Sequence, residues 1–290
     1  MKLQKPVSVR TFEALNKRMA FNQGDKRRFD YSQLGVDGEF KLGGRLHQQT
    51  FPQLSIYDAE FSEGLAPQLD FIMITSEAVF LYDVKNFSGI HHYQNGDFYT
   101  SSTKYFNPLT QLDRAYDVLD ILLKQKNCRL PIVKNLVFIN PSFTLYGNDP
   151  NLPIILLSQL DQHFRTLSQQ SNELTNYHHQ IAEYIESKKV VKESYDLKIP
   201  YTFEALDKGV WCGSCLKQPM NASKRHFYCP SCKRLETKSA AVERSLIEFK
   251  LLFPNQKITP NQLVEWCGNT ISHPYARQVI KTINKKLVFV

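Results

Sequence analysis

The chain has 290 residues, of which 42% are hydrophobic and 22% are charged, a composition typical of a soluble globular protein. No stretch approaches the ~20 continuous apolar residues that a membrane-spanning helix needs, and the first twelve residues lack the apolar core of a secretory signal. The sequence therefore predicts about two domains, a cytoplasmic location and no membrane contact.

The formal net charge is +8, and the positive excess lies wholly in the last third of the chain. Residues 198–290 carry 15 Lys/Arg and 6 Asp/Glu, whereas the preceding residues have a net charge of −1. This asymmetry favours a nucleic-acid-binding region, although a solvated basic surface would give the same count.

The first two thirds of the chain alternate between helical and extended patterns. Apolar spacing, caps and breakers predict helices at 11–22, 31–46, 108–124 and 172–188 and a helix capped by Ser158, with extended segments at 55–61, 69–75, 78–85, 97–103, 136–140 and 154–157. The helix at 31–46 contains four glycines, which would let it approach a sheet closely. This order predicts an α/β fold in which helices cover a mixed sheet.

Three charged residues interrupt an apolar hairpin, "LDFIMITSEAVFLYDVKN", that runs from Leu69 to Asn86. If Ser76 and Glu77 form the turn, the residue numbers of two facing positions add up to 153. Asp70 then faces Asp83 across the two strands. Like charges at such a pair destabilise a sheet. Alternation places Lys85 on the same face as Asp83. Two carboxylates beside an ammonium therefore indicate a site for a hard cation.

Four motifs occur in order around this hairpin. They are "GVDGE" at 35–39, "QLDFIMIT" at 68–75, "DVKNFSG" at 83–89 and "NPLTQ" at 107–111. In helix-strand-strand-strand-helix order, this set resembles the nuclease-related domain (NERD) family, a branch of the PD-(D/E)xK restriction-endonuclease-like superfamily. The resemblance covers roughly residues 30–140.

The resemblance implies a restriction-endonuclease-like mixed central sheet flanked by helices, and hydrolysis of phosphodiester bonds with Mg²⁺ or Mn²⁺. Asp70 and Asp83 would be the metal ligands. Lys85 would orient the attacking water and stabilise the developing negative charge. Glu39 would be an outer metal ligand or would orient water, and Gln111 would support the site or contact the phosphate backbone.

Two departures from the family pattern bear on activity. Leu69 stands where the superfamily has proline, and Asp83 stands where the family more often has glutamate. These residues also permit two interpretations in which the protein is not catalytic. Asp83 and Lys85 form a structural ion pair while Asp70 caps a strand end, or the core is an inactive, DNA-binding descendant.

Two cysteine pairs, "WCGSC" and "YCPSC", lie in the basic third. The spacing C-x₂-C, thirteen residues, C-x₂-C is typical of a tetrahedral Cys₄ site, similar to a zinc ribbon. The sequence therefore predicts one structural Zn²⁺ held by Cys212, Cys215, Cys229 and Cys232. Cys128 and Cys267 stand alone and are expected to be small buried residues.

Basic and aromatic side chains are interleaved around the second cysteine pair, which suits phosphate contacts and base stacking. The predicted contacts are Lys224, Arg225, Lys233 and Arg234. The alternative is that these residues only solvate a small zinc-held fold.

The last fifty residues predict a helix over 239–253, followed by two helices joined by a tight turn. Thr259 and Pro260 begin the first of these two, and the second carries Arg277, Lys281 and Lys285. Gln262, Leu263 and Trp266 are expected to face inward against Ala276, Val279 and Ile280. This arrangement resembles a helix-turn-helix, although small three-helix units also dock onto proteins.

Together these patterns predict three domains: residues 1–197 as the nuclease-related domain, 206–236 as the zinc ribbon, and 238–290 as the helical segment. The predicted function is a Mg²⁺-dependent nuclease with DNA as its partner. A non-enzymatic DNA-binding or regulatory protein and an RNA-processing factor are the alternatives. The adjacent histidines at 91–92 and 178–179 lack ligand spacing and are expected at the surface.

Overall fold

The computed structural model describes residues 3–61, 68–101, 103–147, 149–190 and 197–287, with side chains through residue 283. The chain divides into two compact units, each described by itself below. The first unit comprises Met1–Gln4 and Ser32–Val191, and the second comprises Lys5–Tyr31 and Lys192–Val290. In this division residues 5–31 lie with the C-terminal third, and the segments predicted as zinc ribbon and helical domain belong to the same second unit.

The described residues form helices and strands in the following order along the chain: α1 (Val7–Arg18), α2 (Gln23–His47), β1 (Leu54–Ala59), β2 (Leu69–Ile74), β3 (Val79–Lys85), β4 (Gly89–Gln94), β5 (Asp97–Thr100), β6 (Thr103–Tyr105), α3 (Pro108–Gln125), β7 (Ile132–Phe138), β8 (Phe143–Tyr146), β9 (Ile154–Leu156), α4 (Leu157–Gln170), α5 (Asn176–Lys188), β10 (Asn221–Ala222), β11 (His226–Tyr228), β12 (Leu235–Thr237), α6 (Lys238–Leu252), α7 (Pro260–Trp266) and α8 (His273–Leu287).

A five-stranded mixed sheet forms the centre of the first unit, in the order β1-β2-β3-β7-β9. The first three strands are antiparallel, and β7 and β9 continue the sheet in parallel. Strands β2 and β3 are buried along almost their whole length, because apolar clusters cover both faces of the sheet. The predicted mixed α/β fold is confirmed.

A second, four-stranded sheet lies in the same unit, in the order β6-β5-β4-β8. The sequence predicted only one extended segment here, at 97–103. The structure instead has a hairpin of β5 and β6, preceded by β4, with β8 parallel to β4. One face of this sheet contributes Phe98, which is fully buried, to the core that also contains Phe138.

Helix α2 begins earlier than predicted. Residues 23–25 were expected to end a helix, whereas they form the first turn of α2. The side chain of Asn22 accepts a hydrogen bond of 2.8 Å from the backbone N–H of Asp25, which satisfies one of the free donors at this helix end.

Helix α4 corrects a second boundary. Ser158 was predicted to cap it, but α4 already begins at Leu157. The side chain of Gln159 instead accepts a 2.8 Å hydrogen bond from the backbone N–H of Leu156. A longer amide side chain therefore replaces the predicted hydroxyl cap.

The second unit has one apolar core shared by α1, the cysteine segment and α6 to α8. Phe12 and Leu15 of α1 are buried in it with Trp266 and Phe249. Arg18 is also fully buried. Its guanidinium forms an ion pair of 2.6 Å with Glu248 and lies 3.6 Å from the centre of the Trp266 ring. Residues far apart in sequence thus form one folding unit.

Candidate active site and cysteine cluster

The two central aspartates lie across the β2–β3 hairpin in the predicted register. Phe71 pairs with Tyr82, so Asp70 and Asp83 are the next facing positions towards the open end of the hairpin. The backbone N–H of Val84 donates a 2.7 Å hydrogen bond to Oδ2 of Asp70, which fixes that carboxylate against β3. Both aspartates are buried.

Lys85 ends β3 and contacts two other predicted residues. Its Nζ forms a close ion pair with Oδ1 of Asp83 and donates a 3.2 Å hydrogen bond to Oε1 of Gln111. Helix α3 positions Gln111 one turn after its start, where the Asn107 side chain caps the helix. The structure therefore brings Asp83, Lys85 and Gln111 together, through an ion pair and a hydrogen bond that share the lysine ammonium.

Glu39 approaches this group from helix α2. A Cβ added at the preceding Gly38 would lie 2.8 Å from Cβ of Asn86, which directly follows Lys85, so only glycine permits this approach without a shift. Oε2 of Glu39 accepts a 2.7 Å hydrogen bond from the hydroxyl of Tyr57. The glycine-rich helix therefore allows the close packing that the sequence predicted, at Gly38.

Burial raises the pKa values of all three carboxyl groups, and repulsion by neighbouring carboxylates adds to the shift at Asp70 and Glu39. Burial raises the pKa of Asp70 well above its usual range, and the nearby charges of Asp83 and Glu39 raise it further. Burial likewise raises the pKa of Asp83, although Lys85 opposes the shift. Burial raises the pKa of Glu39 against the hydrogen bond from Tyr57. Closely placed carboxylates beside the Lys85 ammonium favour an additional cation.

The donor chemistry of this cluster fits Mg²⁺, which prefers carboxylate oxygens and is commonly held by one or two of them together with water. The carboxylates do not form a closed cage, however. Among the described residues, the four cysteines are the single group of three or more potential ligands whose donor atoms all lie within 4.8 Å of one another. The convergence of Glu39 with both aspartates on one ion stays a prediction.

The four cysteines of the second unit meet in a cluster able to hold a metal ion. Sγ of Cys212 lies 3.6 Å from Sγ of Cys232, and Sγ of Cys215 lies 3.6 Å from Sγ of Cys229. A tetrahedral zinc site with Zn–S bonds of ~2.3 Å has S–S separations of ~3.8 Å. The observed thiol spacing fits such a site, and all four residues are free cysteines.

Each cysteine pair is held in a similar turn. The residues that follow the second cysteine of each pair, Leu216 and Lys233, both have positive φ values, of 56° and 62°. In the first turn the N–H of Ser214 donates to Sγ of Cys212, and in the second the N–H of Lys233 donates to the carbonyl of Cys229. Two such turns joined by short antiparallel strands are compatible with the predicted zinc ribbon.

The basic residues predicted to contact nucleic acid are exposed wherever their side chains are described. Lys224 and Arg225 lie between β10 and β11, and Lys233 and Arg234 lie between β11 and β12. In helix α8, the side chains of Arg277 and Lys281 are exposed. The side chain of Lys285 lies outside the described residues. Exposure permits the predicted contacts without establishing them.

The two last helices bury most of the residues predicted to face inward. Leu263 and Trp266 of α7 and Ala276 of α8 are fully buried. Gln262, which was also expected to face inward, instead accepts a 3.0 Å hydrogen bond from the N–H of Thr259 and so helps to cap α7. The helix-turn-helix resemblance itself stays a prediction.

Sequence reasoning missed one polar residue at the carboxylate cluster and misplaced two histidines. Tyr57 of β1, which donates to Glu39, carries no local signal because its importance depends on pairing between β1 and β2. His91 and His178 were expected at the surface, but both are buried. Their ring nitrogens lie within hydrogen-bonding distance of Tyr105 and of the Ser76 carbonyl, respectively.

Comparison with protein families supports the resemblance drawn from the four motifs. Residues 34–139 match the model of a family described as the nuclease-related domain. The matched segment contains Glu39, Asp70, Asp83, Lys85 and Gln111, while the cysteine cluster lies outside it. No curated protein and no solved structure gives a significant match. None of the described helices is long and apolar enough to cross a membrane.

Proposed function

We propose that the chain is a Mg²⁺-dependent nuclease whose first unit hydrolyses the phosphodiester bonds of DNA. The observation that carries this proposal is the cross-strand pair of buried aspartates beside a lysine. Sheet pairing tolerates two facing carboxylates poorly, and a structural core gains nothing from them. A bound divalent cation would stabilise both carboxylates and offset the repulsion between them, which explains why they face each other.

Asp70 and Asp83 would hold Mg²⁺, and Mn²⁺ could replace it. When bound, the ion supplies Lewis-acid charge that polarises a phosphate and favours a nucleophilic water. The Val84 N–H holds the Asp70 carboxylate in place, so the ligand is oriented before the ion arrives. Pre-oriented ligands lose less conformational freedom on binding.

Lys85 would stabilise the negative charge that develops on the phosphate and would help to orient the attacking water. Gln111 holds the lysine ammonium at 3.2 Å and thus limits its positions. Glu39 would act as an outer ligand or orient water, with Tyr57 holding its carboxylate. Lys85 contacts Asp83, and we expect its ammonium to contact phosphate when substrate and Mg²⁺ are bound.

In this proposal the second unit supplies affinity for DNA. The cysteine cluster holds one structural Zn²⁺, because four ligand positions filled by protein leave none for substrate. The exposed basic residues of the ribbon and of α8 contact phosphates. Since the charge excess of the chain lies after residue 198, a basic region tethered to a nearly neutral one raises the local concentration of a polyanionic substrate.

The ion pair between Lys85 and Asp83 favours a second candidate function, a DNA-binding protein that does not cleave. In that case the pair is structural, and the nuclease-related domain is a scaffold. Binding of nucleic acid is common to both candidates, and only cleavage separates them.

The decisive experiment incubates purified protein with plasmid, linear duplex DNA, single-stranded DNA and RNA, in Mg²⁺ or EDTA. We expect cleavage of DNA in Mg²⁺ alone. Lys85→Ala should reduce its rate about 10²- to 10³-fold, the usual cost of removing one group that stabilises transition-state charge. The matched control is Lys41→Ala, which removes an exposed lysine of the same unit.

Equal cleavage by wild type and Lys85→Ala would exclude this site as the catalytic centre. Absence of cleavage by the wild type on all four substrates, with intact DNA binding, would favour the scaffold. Cleavage confined to RNA would redirect the proposal to RNA processing.

A further inference from the structure

The exposed face of the four-stranded sheet in the first unit carries an aligned row of aromatic and basic side chains. His92 of β4 pairs directly with Tyr99 of β5 and with Tyr146 of β8. Tyr99 in turn pairs with Lys104 of β6. Residues directly opposite each other point to the same face of a sheet, so these four side chains form one row across four strands.

This row is accessible. Tyr146 is 55% exposed and Ile90, two residues before His92 on the same face, is 58% exposed. The opposite face of the sheet is the buried one, where Phe98 contributes to the core. The rings of His92 and Tyr146 are nearly parallel, at 24°, with their centres 5.4 Å apart. The row therefore places aromatic side chains on an exposed face and spans roughly 14 Å at ~4.8 Å per strand spacing.

The chain path links this face to the carboxylate cluster at both ends. Strand β4 begins at Gly89, four residues after Lys85, and helix α3 begins three residues after β6. That helix carries Gln111, which accepts a hydrogen bond from Lys85. The whole β4–β6 segment is thus inserted in sequence between Lys85 and Gln111, so the segment leaves and rejoins the chain within a few residues of the candidate active site.

The chemistry of the row suits unpaired nucleotide bases. Every base has a π face that stacks on aromatic rings, and sheets with exposed aromatics are a recurrent platform for unpaired strands. Lys104 forms a 2.6 Å ion pair with Asp97 of the same sheet, so the face offers little net charge. Its affinity would come from stacking, and the bases of an intact duplex, already stacked inside, cannot reach it.

We propose that this row, the aromatic row of His92, Tyr99 and Tyr146, binds unpaired bases of a nucleic-acid strand next to the carboxylate cluster. The inference deepens the proposed function, on which it rests, by naming a strand with unpaired bases as the preferred substrate. Single-stranded DNA and RNA share this chemistry.

The test measures binding without added Mg²⁺, where Mg²⁺-dependent cleavage does not occur and the proposed Zn²⁺ is left in place. The probes are oligothymidylate and oligouridylate, each carrying one 2-aminopurine whose fluorescence is quenched by stacking, and a blunt duplex of equal length. The full-length double variant His92→Ala/Tyr146→Ala should lose the quenching and bind single strands about fivefold or more weakly. Its salt dependence should not change, because no phosphate contact is removed.

Two controls separate stacking from altered folding. Tyr146→Phe keeps the ring and should retain binding, while Tyr31→Ala removes a tyrosine that is 73% exposed elsewhere and should have no effect. Duplex binding should be the same in all variants. The ratio of the DNA and RNA affinities identifies which strand the row prefers.

The inference is overturned if the double variant binds and quenches single strands like the wild type, as expected if the face docks a protein instead. An equal loss of single-strand and duplex affinity also overturns it. These results are independent of cleavage. If the wild type cuts DNA and the double variant binds single strands normally, the nuclease proposal stands and the aromatic-row inference falls. If the double variant loses single-strand binding but the wild type does not cut, the aromatic-row inference stands and the nuclease proposal falls.

Discussion

The carboxylate cluster of the first unit and the thiol cluster of the second bring like groups together by different means. The carboxylates are carried by long strands and a helix, in a sheet whose apolar clusters hold it together. The thiols are carried by two turns joined to strands of only two or three residues. Strands that short are not stable by themselves. A metal ion is therefore expected to support function in the first unit and local folding in the second.

The largest effect is expected when the thiol cluster is broken. Purified protein should carry one equivalent of zinc, and Cys229→Ser should abolish it and unfold the ribbon, since metal binding and local folding are coupled. Trp211, which precedes Cys212 and is buried, should shift its fluorescence to longer wavelength. Zinc content and tryptophan emission are the measurements.

Cys128→Ser serves as the matched control, because Cys128 lies outside the cluster in the first unit. It should keep its zinc and its emission spectrum. Reduced, freshly purified wild type without zinc, or a zinc-free variant with unchanged emission, would contradict the proposed structural role.

Removing basic charge from the ribbon should have the next largest effect, on DNA affinity. The variant replaces four exposed residues by alanine: Lys224, Arg225, Lys233 and Arg234. Duplex affinity should fall tenfold or more at low salt. The slope of log affinity against log salt should fall by up to ~4, because each lost phosphate contact removes ~0.9 of slope. Substitution is preferable to truncation, because deleting the C-terminal third would expose Phe12 and Leu15 of α1.

A charge-matched variant sharpens this result. It removes four exposed basic residues of the first unit instead: Lys41, Lys126, Arg129 and Lys188. Its salt slope should stay close to the wild-type value. If both variants lose the same slope, binding follows net charge alone and the two regions do not differ.

A smaller effect is expected where helix α2 meets the sheet. Gly38→Ala places a Cβ 2.8 Å from Cβ of Asn86, so the helix must shift and carry Glu39 with it. Overpacking of this kind costs about 1–3 kcal/mol, and cleavage should fall as well. At Gly35, where a Cβ would meet nothing within 4 Å, alanine should instead stabilise the helix by about 0.5–1 kcal/mol. Urea unfolding measures the free energy of unfolding of both variants. Equal changes in the two variants would contradict the proposed close packing at Gly38.

The smallest effect concerns the pH dependence of stability. Because burial and neighbouring charge raise the pKa of Asp70, its folded form binds a proton that the unfolded form, with a pKa of ~3.9, releases. Its contribution to stability is present below that value and is lost as pH rises through the raised folded pKa. Without added Mg²⁺, Asp70→Asn should therefore gain stability relative to wild type as pH increases, while cleavage in Mg²⁺ is lost.

Urea unfolding from pH 4 to 8 measures this difference. Asp117→Asn, an exposed position on α3, should show a flat difference from wild type over the same range. A flat difference for Asp70→Asn as well would mean that the carboxylate cluster carries no strain in the absence of a cation.

Features that depend on neighbours along the chain follow from local rules of turn length and side-chain alternation. The turn at residues 76–77 and the alternation of side chains placed Asp70 across from Asp83, and the hairpin register agrees. The cysteine spacing predicted the thiol cluster in the same way. Short loops and period-two alternation leave few arrangements, so local rules were sufficient for the core of both sites.

Tertiary structure decided what depends on contacts between distant segments. Tyr57 reaches Glu39 because β1 pairs with β2, and β8 joins the second sheet in parallel, about fifty residues after β4. Helix α1 buries Phe12 with the C-terminal helices, although nothing near it in sequence indicates that partner. Such pairings are selected by the total apolar area buried in each unit, which no single segment encodes.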